Sequence, residues 1–404
     1  MQLRRLAFGV VGSACCGASA SAQMLPAVSS ERQFHANASV ATIYDNNFAR
    51  SSRALAAQRG ISMRETTLRP QVTVDVVQPL GRQLVYLKGG AGYDFHRENN
   101  QLDSARGDVQ GGYVTTLGFC QASTFGNFSV AQSDLSTLDS PGVKNVGKVT
   151  AFAVGAQCGR ARGFTGGVTA QRAEVKNSAR VQTIADSTVE TLSTQVGYAN
   201  PNLGRFSLAY NYSNNELPNQ IIPGRPIGDG FFTQTLGVAV ERQFGSRIKT
   251  TATVGQTTVK REFAPAGADL KFTSLTYAGT VNYRLGGRLT LDLSADRAVV
   301  PTARAGKLYD ITTKGQLRGT YRLGSRYIVS LGGGVVDVKS NPDTAIRRPV
   351  VSQARTKSVS TSVRYAQNQR TSLVLDVRYD DRNTNLPEFN YTSTRVGLTA
   401  QVGF

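Results

Sequence analysis

Apolar and polar residues alternate along the end of the chain, up to its final residue. One face carries Val396, Leu398, Ala400, Val402 and Phe404. The opposite face carries Arg395, Gly397, Thr399, Gln401 and Gly403. A period of two residues predicts a β-strand, and an apolar face that ends on an aromatic residue is typical of the closing strand of a membrane barrel.

Short turns containing glycine separate further alternating segments. Five of them follow one form, Leu-Gly-x-Arg or a close variant, with glycine at the position that needs a positive φ. These five lie at 80–82, 203–205, 244–247, 285–288 and 323–326. Weaker versions at 125–127, 159–163 and 367–370 bring the predicted number of short turns to eight.

Longer polar stretches alternate with these turns and hold most of the Pro, Asn and charged residues. They lie at about 45–62, 96–105, 137–147, 176–186, 214–230, 260–270, 299–307, 339–353 and 382–388. Nine such loops and eight turns connect eighteen strands of about 10–15 residues, enough to cross a bilayer at a tilt. The pattern predicts an all-β fold, an antiparallel up-and-down transmembrane barrel over residues 33–404, with sixteen strands as the alternative.

The facing of the strands can be predicted where the alternation is regular. Leu373, Leu375, Val377 and Tyr379 alternate with charged residues, as do the apolar residues of the two other regular strands. Lys or Arg on a lipid face costs about 2–4 kcal/mol at the midplane, so the charged face is expected to line the lumen. The pore-lining candidates are Asp292, Asp296, Lys314, Arg318, Arg322, Asp376, Arg378, Asp380 and Arg395.

Aromatic residues gather next to the short turns. An interfacial girdle explains them, because amphipathic rings settle at the level of lipid headgroups. The residues expected in this girdle are Phe125, Phe128, Phe164, Phe206, Phe244, Tyr283, Tyr321, Tyr327, Tyr365 and Phe404.

The N-terminus has the form of a secretory signal. Arg4 and Arg5 precede a short apolar run, and the small residues before Gln23 predict cleavage after Ala22. Residues 1–22 are therefore the expected signal peptide, and 23–32 a short periplasmic lead-in. Secretion and an even strand number both place the two termini in the periplasm.

Composition and charge narrow the possible classes of protein. The chain has 404 residues with 41 glycines and only 18% charged residues, and its mature part has no apolar run long enough for a spanning helix. A β-sandwich or a β-solenoid is the soluble alternative. The net charge of +19 becomes +17 after subtraction of Arg4 and Arg5. The remaining basic residues are dispersed over turns and loops without a basic stripe, so nucleic-acid binding is not expected.

Seven of the eight short turns contain arginine. One explanation is a basic mouth that gathers anionic solutes, and the other is contact between these side chains and anionic lipid headgroups. The second explanation needs no special function.

Cys120 and Cys158 are the only cysteines after the predicted cleavage site. The periplasm permits a disulfide, but a turn at 125–127 would place one strand between the two residues. Their Cα atoms would then lie about 9–10 Å apart, beyond the usual limit for a disulfide. Either that turn is misplaced or the two thiols are free.

Signs of an enzyme are few. The chain has two histidines, His35 and His96, and contains no nucleophile elbow, metal-ligand spacing or phosphate loop. Gly332-Gly333-Gly334 falls inside a predicted strand, where it favours curvature or close approach. No catalytic residue, cofactor or metal is therefore expected.

The pattern as a whole resembles the β-barrel porin 2 family. The resemblance is carried by Tyr44-Asp45-Asn46-Asn47-Phe48, the Leu-Gly-x-Arg turns and the terminal strand. It implies an eighteen-stranded outer-membrane barrel that helps to export exopolysaccharide, beside a periplasmic export protein. The last strand also resembles the C-terminal signal of bacterial outer-membrane barrels, which implies recognition of Val396, Leu398, Val402 and Phe404 by the barrel-assembly machinery.

Two other functions fit the same sequence. A barrel of this circumference can enclose an aqueous channel, which suits a general or anion-preferring diffusion porin. A plugged barrel whose loops form an interaction surface is the third hypothesis. We expect contact with outer-membrane lipids in all three cases, and an anionic polysaccharide as a partner in the first.

Overall fold

A computed structural model describes residues 31–135, 144–221, 228–262, 271–301, 307–342 and 351–404. These residues form one closed sheet of eighteen antiparallel strands, so the predicted fold class and strand number are confirmed. The predicted signal peptide at 1–22 and most of the lead-in lie outside the described residues. The first strand begins at Gln33.

The strands follow one another around the barrel in chain order, and β1 also pairs with β18. The first nine strands are β1 (Gln33–Asp45), β2 (Glu65–Leu80), β3 (Gln83–His96), β4 (Ser104–Leu117), β5 (Cys120–Gln132), β6 (Val146–Gly159), β7 (Gly163–Asn177), β8 (Ser187–Asn200) and β9 (Gly204–Ile221). The other nine are β10 (Gly228–Phe244), β11 (Ile248–Arg261), β12 (Lys271–Leu285), β13 (Leu289–Pro301), β14 (Lys307–Leu323), β15 (Tyr327–Pro342), β16 (Gln353–Ala366), β17 (Thr371–Thr384) and β18 (Tyr391–Gly403).

The barrel closes where the two ends of the chain meet. Strands β1 and β18 pair from Asn37 opposite Gly403 to Asp45 opposite Arg395. The amide of Phe404 donates to the carbonyl of Ala36 at 2.8 Å. Both ends of the barrel chain therefore lie on the side of the short turns.

Glycines in the short turns have the backbone conformation that the sequence predicts. Gly81, Gly204, Gly245, Gly286 and Gly324 all have positive φ angles, between 57° and 102°. Such angles are strained for residues with a Cβ atom, so these positions favour glycine.

One predicted turn is wrong. Residues 125–127 lie inside β5, and the chain reverses instead at Gly118, whose φ is 63°. Gly126 pairs directly with Gly111 of β4, in the middle of the ladder between the two strands.

Because the chain reverses at Gly118 and not at 125–127, β5 and β6 are neighbours in the sheet. Cys120 and Cys158 are then direct partners across the two strands, with their Cα atoms 3.9 Å apart, and they form a disulfide. The separation expected from an intervening strand was therefore wrong, because it depended on the misplaced turn.

The strands are longer than predicted, with 13 to 18 residues each. The polar stretch at 214–230 is mostly strand, since β9 ends at Ile221 and β10 begins at Gly228. Asn215 explains part of the error: it lies opposite Phe231 and donates its amide to the Phe231 carbonyl at 3.3 Å. A strand can therefore continue past the segment in which apolar and polar residues alternate, when polar side chains form hydrogen bonds inside the barrel.

Large apolar side chains cover the outside of the barrel. Aromatic residues lie exposed at its short-turn end, including Phe119, Phe164 and Phe404. Phe125 was expected in this girdle, but it faces inward and packs with Val77, Tyr86 and Val114, which follows from its place inside β5.

In the part of the chain that the structure describes, helical structure is confined to the connections, and the one α-helix is α1 (Arg53–Gln58). This helix begins after Ser52, whose hydroxyl accepts from the amide of Leu55. Within the described ranges, no helix is both long and apolar enough to cross a membrane.

Candidate functional site

The nine predicted pore-lining residues all lie on the inner face of their strands, in two groups. The first group occupies β13 and β14, where Asp292 is opposite Arg318 and Asp296 is opposite Lys314. Leu293 and Leu317, which alternate with them, are 50% and 54% exposed on the outside. Asp292 accepts a hydrogen bond from Asn282, which holds this carboxylate beside β12.

The inner surface beside this first group is open. Arg318 and Arg322 are exposed although they face inward, so side chains do not fill the lumen there. Neither guanidinium has a carboxylate partner within the described parts of the chain. Both guanidinium groups are therefore open to water, although Asp292 lies across from Arg318 on β13, and exposed positive charges of this kind attract anions.

The second group occupies β17 and β18. Arg378 and Arg395 are direct cross-strand partners, which places two positive charges side by side. Arg378 also donates from Nε to both carboxylate oxygens of Asp380 at 2.9 Å. Asp376 lies against Gly397, where an added Cβ atom would come within 2.5 Å of its carboxylate.

Small side chains line the wall between the two groups. Strand β15 contributes Gly332 and Gly334, and β16 contributes Ser358 and Ser360. A Cβ atom at Gly332 would lie 3.2 Å from the Ser360 hydroxyl. The glycine triplet therefore permits close packing of the two strands and leaves space between the charged groups.

The segment Tyr44 to Phe48 turns the first loop toward the strands at the other end of the chain. Asp45 ends β1, accepts from the Asn47 amide at 2.9 Å and pairs with Arg50 at 2.6 Å. The Ser393 hydroxyl of β18 also donates to Asp45, at 2.8 Å. Asn47 donates its side-chain amide to the carbonyl of Thr392 at 3.0 Å.

Arg50 is the charged centre of this network. Burial disfavours its charge, but the carboxylates of Asp45 and Asp134 more than compensate, so the pKa of Arg50 is raised above its ordinary value. Its guanidinium also lies 5.6 Å from the ring centroid of Tyr391. Asp134 follows β5, which three strands separate from β1 along the wall, so the two loops approach each other across part of the barrel mouth.

Three loops share an apolar cluster at this mouth. It contains the buried residues Ala49, Ala56, Ile61, Leu102 and Leu135, with Phe48 and Met63 packed against it. Glu65 anchors the second of these loops, because its buried carboxylate accepts from the amides of Arg97, Glu98 and Asn99. We call these loop residues the mouth cluster; they narrow the opening on one side.

A second cluster narrows the same end on another side. Phe231 of β10 and Tyr309 of β14 have ring centroids 6.0 Å apart, although three strands separate them along the wall. Leu217 and Val259 complete the buried part. Strands spaced by about 4.8 Å hold the two backbones much farther apart than this, so the rings meet by projecting into the lumen of the curved barrel. A buried ion pair between Arg261 and Asp229, at 3.1 Å, lies on the same strands.

The histidines occupy different ends of the barrel. His96 is buried beside Asp103, with 3.3 Å between Nδ1 and Oδ1, whereas His35 lies near the short-turn end of β1. The described residues contain no cluster of three or more His, Cys, Asp or Glu side chains that could hold a metal ion.

Comparison with protein-family models finds no match, and no curated protein is similar in sequence. The chain is similar in structure to the FrpB iron transporter of Neisseria meningitidis (F5-1 variant, apoprotein form), with 7% identity and a TM-score of 0.50 over 87% of this chain and 62% of that chain. It is also similar to OpdK of Pseudomonas aeruginosa, with 12% identity and a TM-score of 0.48 over 92% of this chain and 99% of that chain. OccK2 (OpdF) of the same organism, in complex with glucuronate, has 12% identity and a TM-score of 0.48 over 93% of this chain and 98% of that chain. The similarity to FrpB, at 7% identity, shows a shared fold.

Proposed function

We propose that this protein is an outer-membrane channel whose lumen favours anionic solutes. The apolar outer surface and the closed sheet support residence in a membrane, since a closed barrel satisfies every backbone group without water. Two further features favour location in the outer membrane of a Gram-negative cell. One is the predicted secretion through a signal peptide cleaved near Ala22, and the other is the position of both termini on the short-turn side.

The observation that carries the anion preference is the open position of Arg318 and Arg322. Among the nine lumen residues, five are basic and four are acidic. Arg318, Arg322 and Arg378 are exposed, whereas Asp292 is the one exposed acid among the nine. The exposed positive charges therefore outnumber the exposed negative charges along this wall.

The two clusters at the loop-side end bear on whether the channel conducts freely. The mouth cluster and the Phe231–Tyr309 cluster reduce the opening on two sides. A narrowed mouth above a wider lumen suits a selective channel. A fully plugged barrel would conduct no ions.

Export of an acidic exopolysaccharide is the second candidate. It is supported by the family resemblance, one part of which is the segment from Tyr44 to Phe48. In the structure this segment directs the narrowing loop, through Asp45, Asn47 and Arg50. A loop with that position could regulate passage of a polymer delivered by a periplasmic export protein.

Two measurements test this proposal. Purified, refolded protein in a planar bilayer should form open, ion-conducting channels, and the absence of conductance would contradict the channel function. The second measurement distinguishes anion diffusion from polysaccharide export. The gene is deleted, and the deletion strain is complemented by the wild type or by a variant without residues 46–64. Loss of surface polysaccharide would support export, whereas loss of uptake of small anions with normal polysaccharide would support diffusion.

A further inference from the structure

Two pairs of lysines lie directly opposite each other on the outer face of the barrel. Lys260 of β11 is the register partner of Lys271 of β12. Lys148 of β6 is the register partner of Lys176 of β7. Like charges in direct cross-strand pairs repel and weaken a sheet. Two such pairs on one surface call for an explanation.

The outward direction of all four side chains follows from strand alternation. Residues separated by an even number of positions on one strand face the same side. Lys260 is therefore on the same face as Val254, which is 53% exposed, and Lys271 is on the same face as Leu275, which is 58% exposed. Lys148 is likewise on the face of Phe152, and Lys176 on the face of Val168, and both of these apolar residues are exposed on the outside. The four lysines therefore point away from the lumen.

Both pairs lie at the same height, at the loop-side edge of the apolar surface. Lys176 is twelve residues beyond Phe164 on β7, and Lys260 is twelve residues beyond Ile248 on β11. Twelve residues of a tilted strand rise by about 30 Å, just more than the apolar band of roughly 25 Å that such barrels present to lipid. The lysines thus lie where headgroups meet the outer surface.

The surroundings of each pair differ in charge. Lys260 lies over the ring of Phe232, with Nζ 5.7 Å from the centroid, and Lys271 is exposed. Lys176 has an ion pair with Glu174 at 2.8 Å, whereas Lys148 has no carboxylate partner in the described ranges. The first pair contributes two positive charges, and the second contributes one after Glu174 is counted.

We propose that these pairs bind the phosphate groups of lipopolysaccharide in the outer leaflet. Two lysines at cross-strand distance can donate to one phosphate, which removes their mutual repulsion. The apolar surface below each pair, with Phe232 or Phe152, contacts the acyl chains. The inference rests on the proposed location in the outer membrane, because the loop side is the outer leaflet only there.

The test measures binding of bisphosphorylated lipid A to the full-length protein in detergent, by native mass spectrometry. The variant K260Q/K271Q should bind about 30-fold more weakly, from roughly five-fold per lysine, and K148Q/K176Q should lose less because of Glu174. The variant K260R/K271R should retain binding, which separates lost charge from a folding defect.

A matched control is R355Q/K357Q, which removes two outward cations that lie directly opposite Asp337 and Asp381. It should bind lipid A like the wild type.

Three outcomes would overturn the proposal. If R355Q/K357Q lost as much lipid A binding as K260Q/K271Q, general surface charge would explain the binding. Equal binding of dephosphorylated lipid A would also overturn it, as would equal competition by inorganic phosphate. Conductance of the same variants is measured separately, so failure of the channel function does not affect this result.

Discussion

Asp45 and Arg50 form a buried ion pair with 2.6 Å between their nearest atoms, at the point where the first strand gives way to the first loop. The pair fixes a tight turn, and Asn47 and Ser393 connect that turn to β18. The five residues from Tyr44 to Phe48 thus hold the first loop against β18, the last strand of the chain. The narrowed mouth depends on this contact.

Replacing Asp45 by Asn should release the first loop from the wall. Arg50 would lose its nearest carboxylate and keep only the more distant Asp134, so the local cost should stay below the roughly 3–5 kcal/mol of a buried charge with no partner, while the barrel strands keep their pairing. Single-channel conductance should rise and protease should cleave within residues 46–64. R53Q is the control, because Arg53 is exposed on α1. Unchanged conductance in D45N would show that this loop does not narrow the channel.

Gly112 should tolerate no side chain. It lies opposite Tyr86, and an added Cβ atom would come within 2.6 Å of the tyrosine ring and of the Thr124 carbonyl. G112A should lower the free energy of unfolding by about 1–3 kcal/mol, measured by urea denaturation in detergent. At Gly111 the nearest atom would be 3.4 Å away, so G111A should be close to wild type. Equal stability of the two variants would contradict the packing described for Tyr86.

The disulfide between Cys120 and Cys158 should stabilise the barrel wall. It closes a separation of 38 residues, for which the chain-entropy argument gives about 3–4 kcal/mol. Reduced protein should therefore lose its gel-shifted folded form at a lower temperature than oxidised protein. The variant C120S/C158S should behave like the reduced wild type under both conditions. Identical melting with and without reductant would indicate that the bond does not form in the native protein.

Phe404 should matter for assembly more than for final stability. Its ring is 74% exposed on the outside, so it contributes little packing within the barrel. F404A should reduce the amount inserted into the outer membrane of cells, while the refolded variant should unfold at nearly the same urea concentration as the wild type. F164A is a control for loss of an exposed aromatic residue at the same end. Normal insertion of F404A would contradict the assembly signal.

Sequence patterns predicted those features that depend on neighbouring residues. Alternation placed Leu373 outside and Arg378 inside, and glycines such as Gly286 marked the turns, because local sterics and the period of two decide both. The turn at 125–127 failed because a glycine inside a strand looks the same as a glycine in a turn. Only its pairing with Gly111 on the next strand distinguishes the two cases, and local sequence does not reveal that pairing.

The mouth could not be predicted for a different reason. Arg50, Asp134 and Tyr391 belong to three distant parts of the chain, and only the closed barrel brings them together. No period or spacing encodes such contacts. The one available signal was the Asp-Asn-Asn run after Tyr44, since these residues favour turns in which side chains bond to the backbone.

The reversal potential of the reconstituted channel in a salt gradient tests the central claim most directly. Wild-type protein should be anion-selective, and R318E/R322E should shift the reversal potential toward cation selectivity, because both residues are exposed in the lumen. R172E/K357E changes the same charge on the outer face and should leave selectivity unchanged. A cation-selective wild type, or a reversal potential that R318E/R322E does not move, would contradict the account.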